Sequence, residues 1–201
     1  LIGKRMFEKI SNKRCEVFIA SEFAYDLPKL SKKPFFILVT QSGETADLRA
    51  CLKAVENLNR PILTITNVIT STLAREASYF LNVFAGREVA VASTKAYTAQ
   101  ISVLMLLATA LSKKPHNLTY EFNKLISSME KFLEKNTMRE LSSEYLKKHN
   151  CFFIGRGIAY DLSLEAALKV KEVTYIQTEG FASGELKHGT IALIEENTPV
   201  F

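Results

Sequence analysis

Cysteine is scarce in this sequence and odd in number. Cys15, Cys51 and Cys151 stand far apart and in no metal-ligand spacing, which argues against a disulfide framework or a zinc site and for a reducing cytoplasm. Long apolar runs are lacking as well. The longest, residues 101–111, is interrupted by Ser102 and Thr109 and is too short to cross a bilayer, so a soluble chain with no membrane partner is expected. Leu1 is not an initiator Met, and no charged leader with an apolar stretch follows it; the expectation is an internal fragment without a secretion signal. Lacking that signal, the acceptor pattern Asn117-Leu118-Thr119 is read as chance.

What is present is a globular composition. Hydrophobic residues make up 47% of the 201, enough to give one generous domain or two small ones a real core, and disorder is not expected. The net charge is +5, but apart from short pairs such as Lys32-Lys33, Lys113-Lys114 and Lys147-Lys148 the cations are scattered. That distribution suits solubility and some attraction for phosphate better than a nucleic-acid partner.

Short β-rich runs at 15–20, 34–40, 61–67 and 79–85 alternate with helical patterns at 44–57 and 71–77. Such alternation predicts an α/β fold, a parallel sheet wrapped by helices, in which ligands bind beyond the carboxyl ends of the strands. From about 93 to 150 the pattern turns helical, at 94–111, 117–134 and 138–149, with a break at 113–117 around Pro115. A strand at 151–154 then runs into Gly155-Arg156-Gly157 and a long helix over about 159–176. It reads as the opening of a second α/β unit.

Three stretches carry chemistry. After the strand at 34–40 comes Gln41-Ser42-Gly43-Glu44-Thr45, where small hydroxyls and a glycine at a strand-to-helix turn leave backbone amides free for an anion. Thr40, Ser42 and Thr45 add side-chain donors; equally, Ser42 can simply cap the following helix. The second stretch, Val91-Ala92-Ser93-Thr94-Lys95-Ala96, again puts hydroxyls at a helix start, with Ser93 as cap or ligand contact and Lys95 as a charge. In the third, Glu165, Lys169 and Glu172 share one helical stripe, as a surface ladder of ion pairs also does. The glycine-rich loop at 178–189 that follows can bring Glu185 and His188 to a site.

Taken together, these places resemble the sugar isomerase (SIS) fold family and, within it, the isomerase domains of the glucosamine-6-phosphate synthases. The resemblance is carried by Gln41-Ser42-Gly43-Glu44-Thr45-Ala46-Asp47, by Val91-Ala92-Ser93-Thr94-Lys95-Ala96, and most specifically by Leu164-Glu-Ala-Ala-Leu-Lys-Val-Lys-Glu172 followed by Gly184-Glu-Leu-Lys-His-Gly189. It runs from about residue 15 to 201 with the motifs in the family's order.

The resemblance implies a three-layer αβα, flavodoxin-like fold in two related units. The first covers 1–134 and lacks its first strand; 135–201 holds a linking helix and the truncated start of the second. It implies that Thr40, Gln41, Ser42 and Thr45 hold the sugar phosphate, with Ser93 in the same site. Glu172 would move a proton between C1 and C2, Lys169 would sit beside it, and His188 would help open the sugar ring. Neither a cofactor nor a metal is implied. The implied partners are a hexose phosphate (fructose-6-phosphate or glucosamine-6-phosphate), a glutaminase domain elsewhere in the full-length protein, and a second copy in a homodimer. The family's Schiff-base lysine would lie beyond residue 201, so this chain is expected to bind a hexose phosphate and to turn over poorly or not at all. Rival readings on the same fold are a fructosamine phosphate deglycase and a non-catalytic sugar phosphate sensor.

Overall fold

The computed structural model describes residues 1–135, 137–145 and 148–201. Two compact units emerge, one of Gly3–Lys113 and one of Lys114–Phe201 together with Leu1–Ile2. Among the described residues no helix is long and apolar enough to cross a membrane.

In chain order the first unit holds α1 (Ile2–Ile10) from Gly3 onward, α2 (Ala20–Phe23), β1 (Phe36–Val39), α3 (Ala46–Glu56), β2 (Ile62–Thr66), α4 (Thr72–Glu76), β3 (Tyr79–Asn82) and α5 (Lys95–Ala110). The strands form a parallel sheet in the order β1-β2-β3, with Phe36 opposite Ile62 and Leu63 opposite Tyr79. Parallel neighbours need a crossover, and α3 and α4 supply them. Every residue of central β2 is buried, because both faces of the sheet are covered. Ile62, with Leu38 and Phe36, packs on Phe23, Cys51, Leu52, Val55 and Leu73 from α2, α3 and α4. Leu63 and Ile65, with Ile37 and Leu81, pack on Ala99, Val103, Leu104 and Leu107 of α5. The period-two alternation of β2 thus separates two helical layers, as a three-layer α/β fold requires. Complete burial of Ile65 and Leu73 contributes about 1.5–3 kcal/mol each.

One expected strand is absent. Residues 15–19 carry no regular structure, and α2 starts at Ala20. A strand is held by its neighbour's backbone, and β1 pairs with β2 alone. Among the described residues no strand flanks 15–20, so Val17, Phe18 and Ile19 stay exposed, with the Phe18 ring resting 5.2 Å from that of Phe23.

The second unit holds α6 (Leu118–Leu133), α7 (Thr137–Tyr145), β4 (Asn150–Gly155), α8 (Ile158–Thr174), β5 (Gln177–Ala182) and a 3-10 turn at Thr190–Leu193. Asn117 caps α6 by accepting the Tyr120 N–H at 3.1 Å. The helix expected over 138–149 runs from Thr137 to Tyr145; its residues 146 and 147, and with them Lys147, lie outside the described residues. β4 and β5 pair in parallel, Asn150 opposite Gln177 through Gly155 opposite Ala182, with α8 as the crossover. On the other edge of β4, Phe152 donates to Pro199 O at 3.0 Å and accepts from the Phe201 N–H at 2.9 Å.

The glycine-rich segment expected as a loop over 178–189 is a strand for its first half. Thr178 is fully buried, and a Cβ on Gly180 would lie 2.8 Å from Leu164 N and from the Ser163 carbonyl carbon. Small residues here let β5 approach the backbone of α8, so composition that mimics a loop reflects close packing.

Candidate functional site

Backbone pairing carries β1 one residue past its end, with the Thr40 N–H on Ile65 O at 3.0 Å, before the chain turns through residues 41–45. Gly43 sits at φ +68, and its N–H donates to Thr40 Oγ1 at 3.1 Å. The Thr40 and Thr45 hydroxyls are 3.1 Å apart, while Ser42 Oγ accepts the Glu44 N–H at 3.2 Å. Only glycine fits at 43: besides the left-handed φ, a Cβ there would fall 2.0 Å from Ser71 Oγ.

The turn is buttressed from behind. Glu44 Oε1 accepts the Thr72 N–H at 2.7 Å and Gly43 O accepts the Leu73 N–H at 3.1 Å, so the start of α4 is tied to the turn. The backbone N–H of Thr72, and after it the Thr72 side chain, hold the Glu44 carboxyl below the usual carboxylate range. Thr45 occupies the cap position of α3, but its side chain makes no capping bond, and Ser42 does not cap that helix either. The first amides of α3 therefore keep their capacity for an anion.

A cavity of about 330 Å³ opens beside this turn, lined by Gln41, Ser42, Thr45, Glu88, Ala90, Val91 and Ser93. Its second wall is the segment between β3 and α5. Ser93 does not cap α5. Thr94 holds that position without a side-chain bond, and Glu88 Oε2 instead accepts the Ala96 N–H at 3.0 Å. Of the five expected binding residues, Gln41, Ser42, Thr45 and Ser93 thus face one space. Thr40, only 5% exposed, stands behind it and shapes the turn. Lys95 is not among the lining residues. Sequence reasoning missed Glu88 and Ala90; the motif at 91–96 pointed to the right segment, but nothing local marks Glu88.

The second group of candidates lies in the other unit, on α8 and the turn after β5. Lys169 Nζ donates to Glu172 Oε2 at 2.6 Å and stands 3.6 Å from Glu165 Oε1, so the stripe is a carboxylate–ammonium–carboxylate ladder, partly shielded along one face. Gly155 allows α8 to start against the end of β4, since a Cβ there would meet the Ala159 carbonyl carbon at 2.3 Å. Beyond β5 the Ser183 N–H returns to Gly155 O at 2.9 Å and Arg156 Nε donates to Ser183 Oγ at 3.1 Å, tying the carboxyl ends of β4 and β5. His188 is exposed on the turn that follows, its N–H on Glu185 O at 2.9 Å.

The SIS domain family matches at 1–110 and 144–201. The chain is 53% identical over 209 residues to the glutamine--fructose-6-phosphate aminotransferase (isomerizing) of Listeria monocytogenes, an alignment that takes in 100% of this chain and 35% of that protein. It thus spans about a third of the length of the curated relatives it matches. Among solved structures, the C-terminal domain of glucosamine-fructose-6-phosphate aminotransferase from Francisella tularensis superposes with a TM-score of 0.92 at 34% identity, over 99% of this chain and 58% of that one. A glucosamine-6-phosphate deaminase from Thermotoga maritima superposes with a TM-score of 0.86 at 26% identity, over 100% of this chain and 62% of that one.

Proposed function

This chain belongs to the SIS domain family, and from that premise we propose that it is the isomerase part of an enzyme that makes glucosamine-6-phosphate from fructose-6-phosphate and glutamine-derived ammonia. The observation that carries the proposal is the convergence of Gln41, Ser42, Thr45 and Ser93 on one cavity at the carboxyl end of a parallel strand, where α/β sheets bind ligands. Hydroxyls and amides suffice to hold a phosphate, and Thr40 supports them by fixing the turn.

The chemistry proposed for the second unit is a ketose-to-aldose proton shuttle. One proton must leave a carbon and return to its neighbour, and a single carboxylate performs both transfers when correctly placed. Glu172 is assigned that role, with Lys169 orienting it through the bond to Oε2. His188 is assigned to ring opening, since an imidazole carries both a proton donor and a proton acceptor. The division into sugar isomerase units at 1–134 and 135–201, a homodimer, a glutaminase domain in the full-length protein and a cytoplasmic location belong to the same proposal.

Calorimetric titration with fructose-6-phosphate tests it. Ser42→Ala and Thr45→Val are each expected to weaken binding about 10- to 100-fold, the worth of one hydrogen bond to a charged group. Glu172→Gln, placed in the protein that carries this chain, is expected to abolish glucosamine-6-phosphate formation while leaving affinity within about threefold. Affinity indifferent to both hydroxyl variants would sink the binding half, and an active Glu172→Gln enzyme the catalytic half.

A further inference from the structure

Asn67 lies one residue beyond β2 and lines neither wall of the cavity, yet it is bonded to both. Its backbone N–H donates to Gln41 O at 3.1 Å, on the wall made by the turn at 41–45. Its side chain reaches the other way: Nδ2 donates to Gly86 O at 2.6 Å and Oδ1 accepts the Ala85 N–H at 3.0 Å. Those two residues open the segment that continues to Glu88, Val91 and Ser93. The neighbouring Thr66 reinforces the first link, its hydroxyl donating to Gln41 O at 3.3 Å.

The held segment runs through Phe84 at φ 53 and Gly86 at φ 67, and a left-handed phenylalanine is a conformation that persists only when its surroundings impose it. A primary amide presents a donor and an acceptor side by side, which is what the Ala85 N–H and the Gly86 carbonyl require. Aspartate lacks the donor and aliphatic residues lack both.

We propose that Asn67 is a positioning residue that clamps the two walls of the cavity together and thereby sets its fit to the sugar portion of a hexose phosphate. The choice of ligand rests on the function proposed above; the clamp itself does not.

The test compares Asn67→Ala and Asn67→Asp with the wild-type 201-residue chain, using fructose-6-phosphate, inorganic phosphate and amide hydrogen exchange. In Asn67→Ala the fructose-6-phosphate Kd is expected to rise about 10-fold, while the inorganic phosphate Kd, which draws on the 41–45 wall alone, stays within about twofold. Exchange of the Ala85 amide is expected to quicken about 10-fold or more. Asn67→Asp keeps the acceptor for Ala85 and loses the donor to Gly86, so it should retain Ala85 protection and still weaken fructose-6-phosphate. Equal weakening of both ligands would mark general structural damage and overturn the proposal, as would unchanged fructose-6-phosphate affinity. Should the wild-type chain bind neither ligand, the sugar phosphate reading falls, and Ala85 exchange alone decides the clamp: faster in Asn67→Ala supports it, unchanged refutes it.

Discussion

Thr40 and Ser42 are two residues apart and do opposite work. The Thr40 side chain is turned inward, accepting the Gly43 N–H and meeting the Thr45 hydroxyl, while Ser42 lines the cavity. Thr40→Val keeps the shape and removes the acceptor, leaving a buried N–H without its partner, which costs about 1–3 kcal/mol; Thr40→Ser keeps the hydroxyl and is expected to cost less. Urea denaturation of the two variants checks this, and the reverse order would contradict it. The placement of Ser42, Thr45 and Ser93 along the cavity was legible because small hydroxyls beside a glycine or a helix start mark a turn locally. Glu88 and Asn67 were not, because their bonds reach 8 and 18–19 residues along the chain and leave no periodic mark.

At the scale of elements, α4 depends on a residue outside itself. Glu44, which lies 28 residues before Thr72 in the chain, supplies the carboxylate at the start of this five-residue helix. The bonds from Thr72 hold the Glu44 carboxyl below its ordinary range in the folded state, so its contribution is present above the unfolded carboxylate pKa and is lost as pH falls through the folded one. Glu44→Gln should therefore melt below wild type at neutral pH, with the gap closing as the solution is acidified below about pH 4. Thermal melts across that range measure it, and a gap that widened on acidification would contradict the cap. Most elements were readable from period and composition, including β2 as a continuous buried run and α3, α5, α6 and α8 as helices. Residues 15–20 misled because β propensity is realised only beside a partner strand. Residues 177–182 misled because the glycine that suggests a loop is a contact point with α8.

For the molecule as a whole, the residues assigned to binding and those assigned to proton transfer fall in different compact units, and only the resemblance assigned both sets to one activity. In the second unit α6 buries none of its side chains fully and leaves Leu125, Ile126, Met129, Phe132 and Leu133 exposed, apolar area of the kind an oligomer covers. The proposed homodimer predicts sedimentation at about twice the monomer mass at micromolar concentration, and a monomer at every concentration would contradict it. More basic is the proposed binding of a sugar phosphate in the hydroxyl-lined cavity of the first unit. A crystal of the 201-residue chain soaked with fructose-6-phosphate measures that directly. The expected result is phosphate density within about 3 Å of the Ser42 and Thr45 hydroxyls, with the sugar directed toward Ser93. A cavity left vacant at saturating ligand, or phosphate bound elsewhere, would contradict it.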